Sequence, residues 1–162
     1  MKKLLLFAAA VAVAGFLGWL PAAQEDVGGL LPAQTLVLTL QDGQLDLDGG
    51  QDLKGTGWTW DTAMEDLEAT APGRAFFGAT EHIVLVGDAA GVLQDVLQDQ
   101  NLRPAARVYA GKGAVEADSA TDFLNAHKEG VTIQSLRSAI LEGRDLELPL
   151  LTGEDGRYHL DQ

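Results

Sequence analysis

The residues in this chain that could do chemistry are few and widely spaced. Ala110-Gly-Lys-Gly113 has the look of a phosphate loop. That loop needs an earlier glycine five residues before the Gly-Lys pair and a Ser or Thr after the lysine, and Gly113 stands there instead. Gly87-x-x-x-Gly91 falls where a strand turns into a helix, a place where helix N-termini hold phosphates. It lacks the three-glycine fingerprint, and Asp88 sets a negative charge where phosphate would sit, so it reads as a tight turn. Asp46, Asp48 and Asp52 have the spacing of an oxygen-rich calcium loop. Such a loop wants glycine at its sixth position and glutamate at its twelfth, and Gln51 and Gly57 occupy these, so a solvated hairpin tip is expected. His82, His127 and His159 form no His-x-x-x-His pair, and His82 reads as structural or exposed. Ser119, Ser135 and Ser138 lie in no Gly-x-Ser-x-Gly elbow. Trp58 and Trp60 flank a helix start, with core packing as the default and room for one exposed binding anchor. No catalytic, cofactor-binding or metal site emerges, so a non-enzyme is expected.

The elements that would position these residues can be read from periodicity. Thr35–Leu40 is β-branched and apolar, Asp42-Gly43 is a turn signal, and Gln44–Asp48 alternates with period two; together they predict a hairpin closed by Gly49-Gly50. Trp60, Met64, Leu67 and Ala71 recur at helical spacing, predicting a helix over 59–71 that Pro72-Gly73 stops. His82–Val86 is a wholly apolar strand, as for one buried on both faces. A helix over 89–100 and a strand over 106–110 complete a right-handed parallel β-α-β unit. Further helices are predicted over 119–127 and 133–141, an extended, Pro-containing edge segment over 146–151, a turn at 153–156 and a last strand over 157–160. This order predicts an α/β fold of the α+β kind, a mixed β-sheet with helices packed on its faces.

Composition narrows the setting. The formal net charge is −13, so phosphate backbones and anionic headgroups would be repelled and no nucleic-acid partner is expected. The chain holds no cysteine, which excludes disulfides, thiol catalysis, Cys-type zinc sites and an N-terminal lipid-modified cysteine. Lys2-Lys3 precede Leu4–Leu20, an uncharged apolar run ended by Pro21-Ala-Ala23. Its length lies between a secretory core of about 7–15 residues and a full span of about 20. Pro21 at the −3 position makes a poor cleavage site, which favours an uncleaved signal anchor over a signal peptide in 1–23. The lysines stay on the cytoplasmic side and the rest of the chain lies outside. Residues 24–34, with Gly28-Gly29 and Pro32, read as a linker, and 35–162 as one acidic domain. A domain of that size buries about two-thirds of its unfolded surface and needs no metal to fold.

One stretch carries a family likeness. Residues 72–78 read Pro-Gly-Arg-Ala-Phe-Phe-Gly and 83–91 Ile-Val-Leu-Val-Gly-Asp-Ala-Ala-Gly; 92–103, 106–113 and 120–124 follow as Val-Leu-Gln-Asp-Val-Leu-Gln-Asp-Gln-Asn-Leu-Arg, Ala-Arg-Val-Tyr-Ala-Gly-Lys-Gly and Ala-Thr-Asp-Phe-Leu. This order resembles the N-terminal domain of the Ger(x)C family, the C subunits of bacterial spore-germination receptors. Asp88 stands where the family has Glu, and Gly18-Trp19 lack the cysteine that lipoprotein members place between them. The resemblance implies a non-enzymatic accessory domain at the spore inner membrane, tethered through the N-terminal helix and partnered by integral-membrane receptor subunits. The alternative is an extracytoplasmic protein binding a cation or small solute through the acidic loops of 42–52.

Overall fold

A computed structural model describes residues 29–127, 129–154 and 156–161. Among the described residues, ten strands and four α-helices form a mixed α/β arrangement. Seven strands form one continuous mixed sheet in the order β10-β9-β7-β6-β2-β3-β4. They are β2 (Thr35–Gln41), β3 (Gln44–Asp48), β4 (Lys54–Gly57), β6 (His82–Gly87), β7 (Arg107–Gly113), β9 (Leu150–Glu154) and β10 (Arg157–Asp161). The middle four, β9, β7, β6 and β2, run parallel. β3, β4 and β10 add on antiparallel neighbours. β7 shares one of its edges: Arg107 and Val108 pair with β8 (Val131–Thr132), and Ala110–Gly113 pair with β9.

The hairpin of β2 and β3 closes on Asp42 and Gly43, both at positive φ, the geometry that an Asp-Gly turn favours. β6 and β7 are the parallel strands of the expected β-α-β unit. Between them the predicted helix of 89–100 shrinks to a 3-10 turn over Asp88–Val92 and the short helix α2 (Leu93–Gln98). Gly87, at φ 65°, supplies the sharp change of direction at the end of β6.

Strand alternation gives the sheet two unlike faces. One presents Leu36, Leu38, Leu45, Leu47, Ile83, Leu85 and Val108, all buried. Helix α1 (Trp60–Thr70) covers it with Trp60, Ala63, Met64 and Leu67, beside α2 and α4 (Ile133–Glu142). Thr59 caps α1 through a reciprocal pair of bonds with Thr62. Gly55 and Gly57 of β4 face this helix, and a methyl group on either would run into the α1 backbone at Ala63. Arg137 of α4 donates to the carbonyls of Leu97 and Asp99, at 2.6 and 3.3 Å, and so satisfies the C-terminal end of α2. The other face has a smaller cluster: Val37, Val84, Tyr109 and Leu151 under Ala117, Ala120 and Leu124 of helix α3 (Ala117–Ala126).

Three sequence expectations need correction. Residues 24–34 are not all linker, because Leu30–Pro32 form β1, parallel to β5 (Arg74–Phe76) in a separate two-stranded sheet. The fold therefore takes in residues before Thr35. The extended segment of 146–151 does not supply an edge. The strand starts at Leu150, after Pro149, and lies between β7 and β10. Short β4, β5 and β8 were not anticipated; β4 is rich in glycine, and the other two span only three and two residues. The hydrophobic helix expected in 1–23 lies outside the described residues. Among the described residues no helix is long and apolar enough to cross a membrane.

Candidate interaction groove

A groove of about 660 Å³ lies beside the small β1–β5 sheet. Its wall is the Arg74–Gly78 segment, completed by Leu30 of β1, Glu68 of α1 and Asn101 after α2. Local sequence explains the wall. Pro72 ends α1 by holding Ala71 extended, at ψ 138°. The chain then runs alongside Leu30–Pro32, and the Phe76 carbonyl accepts from Ala33 N–H at 3.3 Å. A 3-10 turn over Phe77–Ala79 follows. The two phenyl rings divide their roles there: Phe77 is buried in the core, while Phe76 is 45% exposed. Thr80, fully buried, donates its hydroxyl to the Ala33 carbonyl at 2.8 Å and locks the two strands' ends together. The groove lining thus includes the partly exposed Phe76 ring together with the carboxylate of Glu68 and the guanidinium of Arg74.

A buried polar chain lies under α3 on the thin face. His82 and Tyr109 are fully buried, with ring centroids 5.9 Å apart. The Tyr109 hydroxyl donates to the Glu129 carbonyl at 2.5 Å and meets His82 Nδ1 at 3.3 Å. His82 Nε2 meets the Asn125 side chain at 3.1 Å, and the hydroxyls of Thr35 and Thr121 meet at 2.7 Å. Burial pushes the Tyr109 phenol up to about 12; the Arg107 charge opposes the shift and the Glu129 charge adds to it. His82, Tyr109 and Thr35 are buried, while Thr121 is half-buried and Asn125 lies at the exposed end of the polar chain, so the bonds tie α3 to the sheet.

The acidic loops are also occupied by structural bonds. Asp48 accepts from Gly50 N–H at 3.0 Å and from Ala117 N–H, at the start of α3, at 3.2 Å. Asp118 accepts from Gln51 N–H at 3.3 Å. Gly50, Gln51 and Asp52 stand at φ 71°, 47° and 66°, a left-handed turn held by these two carboxylates. Among the described residues no cluster of three His, Cys, Asp or Glu side chains is arranged to hold a metal. His127 stacks on Phe123 and His159 pairs with Asp161 at 2.9 Å, so the three histidines remain apart. Trp60 is buried and donates Nε1–H to Asp99 at 3.1 Å, while Trp58 is 74% exposed. Lys112 lies in β7, paired with Thr152, away from any helix N-terminus.

Sequence reasoning missed the groove because its wall depends on β1 and β5 meeting, a contact between two three-residue strands. The adjacent Phe76-Phe77 pair was its only local signal. No family model, curated protein or solved structure matches the chain.

Proposed function

We propose that the protein is a non-enzymatic, membrane-tethered accessory domain acting outside the cytoplasm, related to the N-terminal domain of germination-receptor C subunits. It docks on integral-membrane partners. The observation that carries this reading is the Arg74–Gly78 groove and its place beside β1, the first described strand. The run Leu4–Leu20 serves as the anchor. The segment between Leu20 and Leu30 reaches at most about 35 Å when extended, so the groove stays close to the bilayer. Phe76 then acts as the anchor ring, flanked by Arg74 and Glu68.

A photo-crosslinking residue at Phe76 of the full chain, produced in a spore-forming bacterium, tests this. Adducts with integral-membrane proteins are expected, reduced by Arg74→Glu. Absence of any membrane-protein adduct, together with an unchanged germinant response when the gene is deleted, overturns the proposal.

A further inference from the structure

The two edges of the large sheet are finished differently. At β4 two outward backbone groups are taken by α1: Thr56 N–H donates to the Asp66 carboxylate at 2.8 Å, and the Lys54 carbonyl accepts from the Thr70 hydroxyl at 2.8 Å. A further strand at that edge would have to displace these bonds. At β10 no described element lies beyond the strand in the sheet order.

The direction of the β10 backbone groups follows from its neighbours. The carbonyls of Pro149 and Gly153 accept from Ala110 and Ala114 on the β7 side. Alternation then turns Leu150, Thr152 and Glu154 towards β10, where they pair with Asp161, His159 and Arg157. Tyr158 and Leu160 are left with N–H and C=O pointing outward. Their side chains pack half-buried against the α3 cluster, while Arg157, His159 and Asp161 are exposed on the opposite face.

We propose that β10 pairs antiparallel with β10 of a second copy of this chain, about a two-fold axis at His159. The sequence Arg-Tyr-His-Leu-Asp is complementary to its own reverse in charge and in size. In that register Arg157 of each copy faces Asp161 of the other, and Tyr158 faces Leu160, extending the small apolar cluster across the axis. Tyr158 and Leu160 make the hydrogen-bonded pairs with their outward groups. His159 meets its own counterpart in a non-hydrogen-bonded pair, where Cα atoms approach to about 4.5 Å. This is an isologous contact, which closes after two copies and leaves the closed β4 edges outermost. It is independent of the groove.

The chain has no cysteine, so single introduced cysteines report the pairing cleanly. Mild oxidation of full-length His159→Cys in detergent should give a covalent dimer, since the expected Cα separation lies within the disulfide range. Thr56→Cys, on the closed edge, should not. In the His159→Cys background, Arg157→Asp or Asp161→Arg alone places like charges opposite each other and should cut dimer yield about tenfold. Mixing those two variants restores every opposite-charge pair and should recover a heterodimer. Circular dichroism on each variant establishes that the fold is retained. No adduct at His159→Cys, equal adduct at Thr56→Cys, or no recovery on mixing overturns the proposal. Phe76 cross-links are unaffected by these changes, so this result and that of the groove are separable.

Discussion

The two faces of the sheet solve the same problem of burial by different means. The thick face, under α1, α2 and α4, is sealed by leucine, isoleucine, valine and tryptophan. The thin face, under α3 alone, mixes a small apolar cluster with His82, Tyr109, Asn125, Thr35 and two carboxylates that hold backbone donors. Apolar packing is strong but indifferent to register. Polar bonds contribute less each and fix position. The difference teaches that the thick face supplies most of the stability, while the thin face sets how α3 and the 50–52 turn sit on the sheet.

The sharpest break would come from truncating the thick face. Leu67→Ala, at a fully buried position wedged over Gly55, is expected to cost about 4 kcal/mol in urea unfolding. Leu124→Ala on the thin face should cost nearer to about 2 kcal/mol, because a cavity beside a single helix can collapse. An inverted order would remove the distinction. Tyr109→Phe deletes the hydroxyl between Glu129 and His82 and should cost about 1–2 kcal/mol at neutral pH. It carries a pH signature as well. A folded pKa of about 12 against an ordinary 10 means that stability is intact below pH 10 and falls as pH rises towards 12. The expected slope there is about 1.4 kcal/mol per pH unit, and Tyr109→Phe should flatten it. Asp48→Ala frees the amides of Gly50 and Ala117 and should cost about 1 kcal/mol, read by thermal unfolding. The smallest effect is a gain. Gln51→Gly relieves one left-handed residue and should stabilise by roughly 0.5 kcal/mol, since relief of strain is partly offset by glycine's entropy.

Much of this architecture was legible. Local signals placed β2, β3, β6 and α1 within a residue or two, because each has a clean period and a clear stop such as Asp42-Gly43 or Pro72-Gly73, while β7 was found but runs three residues past its expected end. The failures share a cause. β1, β4, β5 and β8 are four residues or fewer, too short to show a period, and exist because a partner lies beside them. The long helix expected after β6 was drawn from apolar residues at 92–97; Gly91 and the 3-10 turn before it left only six residues helical. The reading of 146–151 as an edge rested on Pro149, but the strand begins only after that proline, at Leu150, and β10 then covers its outer side. Of the site, the Phe76-Phe77 step was visible, but which ring faced solvent was not. In the 42–52 region, spacing alone does not reveal that Asp48 reaches across to the start of α3.

The β2–β3 hairpin, β4 and α1 have a consequence in time. All their mutual contacts lie within residues 35–70, and the Asp42-Gly43 turn closes the first of them across two residues. The parallel pairings of β2 with β6 and of β7 with β9 must wait for whole crossovers to close. Folding is therefore expected to begin in the amino-terminal half, with short loop closures on the microsecond scale, and to proceed slowly outward towards β10. During synthesis that block leaves the ribosome before β6 does, so it can form before β6 arrives to pair with β2.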